Sequence, residues 1–366
     1  MTSSSFWHGR RVFLSGHTGF KGSWLALWLS YLGARTTGYA LPAPTVPNLY
    51  ELAAVGDRLT SVLGDINDLD HLSAAMKAAE PEVVFHLAAQ ALVREGYAHP
   101  AATFATNVMG TVNVLEAVRR VPSVKSVIVV TSDKCYRDQP SEGGCRETDA
   151  LGGQDPYSAS KAAAELVSLA YRSSFFEDNA RIVTVRAGNV IGGGDFARDR
   201  LLPDIVRAVE HRAELEIRYP DAIRPWQFVL EPLRGYLELA ERASSNEAGV
   251  AGAWNFGPDE AGAQTVREVV RGFVDACAPY QPPEIHFGAS RPQYDEAMLL
   301  KLDTAKARAQ LGWRPLVDFN ATLAMTAEWY RAYFERSDMC AVSERQLERY
   351  LDNVGQCGAL SGRGIA

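Results

Sequence analysis

Apolar, β-rich runs alternate with helix-length segments through the first half of the chain. Residues 11–15 (Arg-Val-Phe-Leu-Ser) read as a strand, followed by a helix from about 21 to 32 that Gly33 stops. A second short strand is expected over 35–39, a helix over 69–79 and a buried parallel strand over 82–87. The pattern then gives a helix over 101–119, a strongly apolar strand over 127–131, a helix over 158–175 and a strand over 181–185. Strands alternating with helices pair in parallel through right-handed crossovers. The expected fold class is therefore α/β, a doubly wound parallel sheet of the Rossmann kind.

Beyond about residue 191 the pattern loosens, and glycine, proline and tryptophan become frequent, as in Gly192-Gly193-Gly194, Pro225-Trp226 and Trp313. This predicts a doubly wound domain over 1–190 and a smaller, mostly C-terminal α/β substrate lobe over 191–350. The lobe is expected to return in part to the first core, with no flexible linker between them. The glycine-rich stretch 351–366 is expected to be a mobile tail.

Composition narrows the function classes. The 366 residues are 47% hydrophobic and 22% charged, as in an ordinary globular enzyme. A net charge of -7 argues against nucleic acid or an anionic membrane as partner, although a local site can still bind phosphate. Five scattered cysteines without CxxC spacing predict neither a metal site nor disulfides. No apolar signal region precedes the first strand, and no apolar run is long enough to cross a bilayer. A reducing cytoplasm is the expected location.

Gly16-His17-Thr18-Gly19-Phe20-Lys21-Gly22 lies between the first strand and the first helix. Glycines there shape the turn, let a pyrophosphate approach the backbone and bring helix and sheet together; the helix N-terminus then faces the anion. The acid that usually grips an adenosine ribose is missing from the end of the second strand, Thr37-Gly38-Tyr39-Ala40-Leu41, and no arginine for a 2′-phosphate replaces it. NAD, rather than NADP, is the expected cofactor. Asp65 and Ile66 stand where the adenine edge would pass, with a surface turn as the alternative reading of Asp65.

Tyr157 and Lys161 are one helical turn apart on one face, and a nearby ammonium is expected to lower the phenol pKa. Ser132, ending the preceding strand, is the hydroxyl partner expected on the crevice side of the sheet.

With these residues in place, the chain resembles the extended short-chain dehydrogenase/reductases. The likeness rests on Gly16–Gly22, His86-Leu87-Ala88-Ala89-Gln90, Asn107 with Gly110-Thr111, the strand-end segment 131–136, and Tyr157 with Lys161. It implies that Ser132, Tyr157 and Lys161 form a hydride-transfer centre. It also implies that Ala88, Ala89, Gln90 and Asn107 join the glycine loop around NAD. Asp133 and Lys134, an acid followed by a base, resemble the 4,6-dehydratase branch. There, oxidation at C4 acidifies the C5 proton, a base removes it, and an acid protonates the leaving C6 hydroxyl.

Within that branch the first loop, Ala88–Arg94, Thr106–Thr111 and Gly152–Ser158 are similar to the enzymes acting on CDP-glucose. The resemblance implies a nucleotide-sugar substrate, a place in deoxysugar and surface-polysaccharide (O-antigen) synthesis, and a homodimer. Alternatives are a UDP-N-acetylglucosamine 4,6-dehydratase and a nucleotide-sugar 4-epimerase. Asn189 is a candidate sugar or nicotinamide-edge ligand and Arg224 a candidate diphosphate clamp, with structural hydrogen bonds as their alternative, and Arg94 is a further candidate for the same pocket. His86, in an apolar strand, is expected to be a satisfied core histidine.

Overall fold

The computed structural model describes residues 4–361 except 138–142, 177–180, 260–261, 283 and 289–300. Its centre is a seven-stranded sheet in the order β10-β6-β5-β4-β1-β2-β3, with every pairing parallel. The strands are β1 (Arg11–Ser15), β2 (Arg35–Ala40), β3 (Thr60–Leu63), β4 (Val83–His86), β5 (Ser126–Val130), β6 (Arg181–Ala187) and β10 (Gly252–Phe256). Successive residues of a strand point to opposite faces. Leu14 and Phe85 accordingly enter one core with Trp24 and Trp28, while Phe13 and Val84 enter the other with Val114 and Leu115. Apolar residues on both faces are what a helix-covered parallel strand requires.

The order reverses between β1 and β4. A crevice opens outside their carboxyl ends at such a switch point. The glycine loop, Ala88–Gln90, Ser132 and Asn189 all follow the carboxyl ends of β1, β4, β5 and β6.

Sequence pattern and structure differ in three places and agree on the glycine stop after the first helix. The edge strand β3 went unread because Thr60, Ser61 and Leu63 are exposed and give no apolar run. The expected helix over 101–119 is three pieces, Pro100–Phe104, a wide π-type turn at Ala105–Met109, and Gly110–Arg119. The helix after β1 ends at Tyr31, where Gly33 (φ +77°) supplies the left-handed residue. The segment expected as a tail begins as part of a helix, Met339–Ser361; residues 362–366 lie outside the described residues.

The later part of the chain does two jobs. Strand β10 and the buried helix Leu230–Ser244 complete the first domain, Ser126 Oγ donating to Ala240 O at 3.1 Å. The remainder builds small sheets beside the crevice: β7 (Asn189–Ile191), β9 (Ile223–Phe228) and β11 (Ala263–Thr265) form one, β8 (Leu215–Ile217) and β12 (Ile285–Phe287) another. Trp24 Nε1 donates to Gly193 O at 2.9 Å, tying the glycine-loop helix to this second part. No helix among the described residues is long and apolar enough to cross a membrane.

Candidate active site

The crevice is a cleft of about 1600 Å³ that runs from the glycine loop past Ser132, Asp133, Lys134, Tyr157 and Lys161 to Arg224. Its first wall is built by glycine. Gly16 has φ +82°, and a Cβ on it would lie 2.6 Å from Ala88 N. A Cβ on Gly22 would lie 2.0 Å from Gly16 O, so loop and helix meet only because Gly22 lacks a side chain. Helix Phe20–Tyr31 has no side-chain cap and no acid in its first turn, leaving a positive N-terminus for an anion. Thr18 supports the loop from behind, donating to Leu41 O at 2.9 Å. These features fit a dinucleotide pyrophosphate. Lys21 enters the cleft from the same turn, and burial, with Arg200 nearby, pulls its ammonium down to about 8 while Asp133 opposes the change.

The catalytic candidates meet at the end of β5. Ser132 caps a short turn, Asp133–Cys135, its oxygen accepting from Lys134 N at 3.2 Å while its hydroxyl donates to Asp133 Oδ1 at 3.0 Å. Asp133 is buried and its Oδ2 has no hydrogen-bond partner among the described residues. Burial raises its carboxyl above the usual range, against the pull of Lys134, the Ser132 hydrogen bond, Lys21 and Arg224. Lys134 is half-buried on the cleft wall.

Tyr157 and Lys161 come from helix Pro156–Phe175, which Asp155 caps by accepting from Ser158 N at 3.0 Å. Lys161 donates to Val130 O, the end of β5, at 3.2 Å. Burial pulls its ammonium down to about 8, with Glu165 acting in the opposite sense. The expected lowering of the Tyr157 phenol is corrected: burial pushes it up to about 12, although its Ser132 hydrogen bond works against that rise. Desolvation of a phenolate in this apolar wall outweighs what the protein's own charges supply.

The other candidates divide by position. Ala89 and Gln90 line the cleft after β4, and Ala88 N donates to Ser15 Oγ at 3.2 Å. Asn107, in the wide turn, spends its amide inside the protein: Oδ1 accepts from Gln90 N at 2.9 Å, and Nδ2 donates to Gln90 O and Ser160 Oγ. It clips the β4 loop to the Tyr157 helix, a role that spacing alone did not show. Asp65 lies at an exposed turn, where its carboxylate accepts from Asn67 N and Nδ2, and Ile66 is buried against Gly110. His86 is buried between Ser15 Oγ (2.8 Å) and Thr111 Oγ1 (3.1 Å), a satisfied core histidine.

On the far wall, Asn189 is half-buried, and Arg224 is buried on β9 with Nη1 donating to Ile223 O at 3.0 Å. Arg94 pairs with Asp199 at 2.9 Å. Sequence reading missed Arg200, which pairs with the buried Asp195 at 2.8 Å close enough to Tyr157 to influence it. Arg198 and Arg218 line the same wall. All three belong to the segment where hydrophobic periodicity is lost, so their only signal was the local density of arginine.

The family profile described as GDP-mannose 4,6 dehydratase matches residues 13–326. A CDP-glucose 4,6-dehydratase of Salmonella typhimurium is 46% identical over 357 residues, covering 96% of this chain and 99% of its own. Among solved structures, a UDP-glucose 4-epimerase from Brucella ovis in complex with NAD is similar at TM-score 0.74 and 26% identity, covering 87% of this chain and 97% of its own. A dTDP-glucose 4,6-dehydratase from Streptomyces venezuelae shares the fold at TM-score 0.74 and 24% identity, covering 90% and 99%.

Proposed function

The chain belongs to the GDP-mannose 4,6-dehydratase family of the extended short-chain dehydrogenase/reductases, and we propose that it converts CDP-D-glucose to CDP-4-dehydro-6-deoxy-D-glucose and water. The observation that carries this reading is the Ser132-Asp133-Lys134 turn, which faces the same cleft as Tyr157 and Lys161. An epimerase needs only the hydroxyl, the tyrosine and the lysine. A dehydratase also needs an acid and a base beside the sugar.

In this reading Gly16, Gly19, Phe20, Lys21 and Gly22 would hold NAD, which would supply the hydride chemistry that links C4 and C6. Tyr157 accepts the C4 hydroxyl proton, with Ser132 sharing the hydrogen bond and Lys161 supplying positive charge. Lys134 removes the C5 proton made acidic by the new ketone. The C6–O bond breaks as Asp133 protonates the leaving hydroxyl, releasing water, and a proton returns to C5. A raised carboxyl suits Asp133 to the acid role, because it holds its proton until a developing hydroxide competes for it.

Arg94, Asn189 and Arg224 are assigned to the nucleotide sugar, and Arg224 lies in the lobe that begins near residue 191. Exposed Phe104, Met109, Leu166 and Leu169, on the helical segment 100–119 and on helix Pro156–Phe175, support a homodimer pairing those helices. A cytoplasmic location and a deoxysugar destined for surface polysaccharide complete the reading. The test is incubation with NAD and CDP-, UDP- and dTDP-glucose in parallel. A 4-keto-6-deoxy product from the CDP sugar supports it; an epimer, or product only from another nucleotide, overturns it.

A further inference from the structure

The turn that carries Asp133 and Lys134 is gripped at both flanks by one buried polar network. On its N-terminal side Thr131 Oγ1 donates to Glu165 Oε1 at 2.5 Å. Glu165 also accepts from Thr184 Oγ1 at 2.6 Å, Arg186 Nε at 2.8 Å and Arg186 Nη2 at 3.0 Å, so both oxygens are fully used. On the C-terminal side Arg186 Nη1 donates to the Tyr136 hydroxyl at 2.7 Å, and the guanidinium lies 4.8 Å from the ring centre. Tyr136 in turn donates to Asn255 Oδ1 at 2.7 Å, and Asn255 Nδ2 donates to Cys145 O and Asp303 O. Every side chain from Glu165 to Asn255 in this chain of bonds is buried.

A buried ion pair of this kind adds little net stability over an apolar substitute, so its presence beside a catalytic turn calls for another reason. Geometry supplies one. Glu165 is one helical turn after Lys161, and Tyr136 directly follows the Asp133–Cys135 turn. The Glu165–Arg186 pair therefore fixes the turn bearing the acid and base relative to the helix bearing Tyr157 and Lys161.

We propose that Tyr136 is a positioning residue for the dehydration half of the reaction, anchored by Arg186 and Asn255 so that Asp133 and Lys134 stay aligned on the sugar. The inference rests on the dehydratase reading above. Tyr136 touches no reacting atom in it; its effect passes through the backbone of the turn. Oxidation at C4 depends on Tyr157 and Lys161, on another element, and on Ser132, which opens the turn on the flank that Thr131 anchors to Glu165, so it does not depend on the Tyr136 hydroxyl.

The experiment is a single turnover of Tyr136→Phe with CDP-glucose and NAD, followed by nicotinamide absorbance and by C5 exchange in deuterated water. NADH should rise at the wild-type rate, then decay more slowly, with elimination and C5 exchange reduced roughly 10- to 100-fold, the scale of a small misplacement of catalytic groups. The amplitude of the NADH rise counts the folded sites, so partial misfolding does not imitate the result. Tyr171→Phe is the control. It removes a hydroxyl at the far end of helix Pro156–Phe175, bonded to Glu116 at 2.7 Å, and should leave both phases unchanged. Equal slowing of both phases in Tyr136→Phe, or no slowing, overturns the inference while the functional reading stands. A wild-type enzyme that yields no 4-keto-6-deoxy product overturns the functional reading itself, and the inference with it.

Discussion

Ser132 donates its hydroxyl to Asp133 Oδ1 at 3.0 Å, while Asp133 Oδ2 is buried with no hydrogen-bond partner among the described residues. An unpaired, buried carboxylate oxygen is costly, and taking up a proton is the simplest relief. The group is thus prepared to donate that proton, as elimination requires. Asp133→Asn should keep C5 exchange with deuterated water but eliminate water about 10²–10⁴-fold more slowly. Lys134→Met should still show transient NADH on adding substrate, yet lose C5 exchange. Proton NMR in deuterated water separates the two. Wild-type product formation by Lys134→Met would make that lysine a bystander.

Tyr157→Phe removes the acceptor of the C4 proton without changing the shape of a buried side chain. Turnover should fall about 10²–10⁴-fold, the usual loss for a positioned acid or base, while the thermal midpoint stays close to wild type. Product formation and a melting curve on the same preparation check both halves. A variant that retains near-normal activity is incompatible with the assignment.

The pH profile should report Lys161. Its ammonium, pulled down to about 8 by burial, steadies the Tyr157 phenolate that accepts the C4 proton only below that value. kcat/KM should therefore fall as pH rises through about 8. Lys161→Arg should move this limb to higher pH, because a guanidinium stays charged. The same shift has a sign for folding: between about 8 and the unfolded value of ~10.4 the unfolded chain binds more protons, so this group's contribution to stability grows with pH. A kcat/KM flat across the window would contradict the role given to Lys161.

Glu165→Gln should destabilise the fold by about 3–5 kcal/mol, because it leaves the buried Arg186 charge uncompensated. Burial opposes ionisation of Glu165, but the Arg186 fork and the Thr131 and Thr184 hydroxyls outweigh it and hold the carboxyl below its usual range. The stabilisation is complete above ~4.3 and is lost as pH falls through the lower folded value. Urea unfolding at neutral and acid pH should show the variant's deficit shrinking with acidity. A constant deficit would mean that packing, not charge, holds the pair.

Much of this was legible in the chain. Strands β1, β4 and β5 announce themselves because both faces are apolar, and the glycine loop and the Tyr157–Lys161 spacing are local patterns. What was not legible depends on long-range placement. Asn107 gave no hint that its amide would be consumed by Gln90 and Ser160, since that follows from a wide turn in a helix of ordinary composition. The direction of the Tyr157 shift depends on how dry the wall around it becomes. Arg200 approaches Tyr157 only through a loop whose path has no periodicity.

The most direct test of the central claim follows a single deuterium. In a dehydratase the hydride that leaves C4 returns to C6 of the same sugar, so CDP-glucose deuterated at C4 should give a 4-keto-6-deoxy product carrying that deuterium at C6, with no net NADH. Deuterium accumulating in free NADH, or retained at C4 of an epimer, would contradict the account.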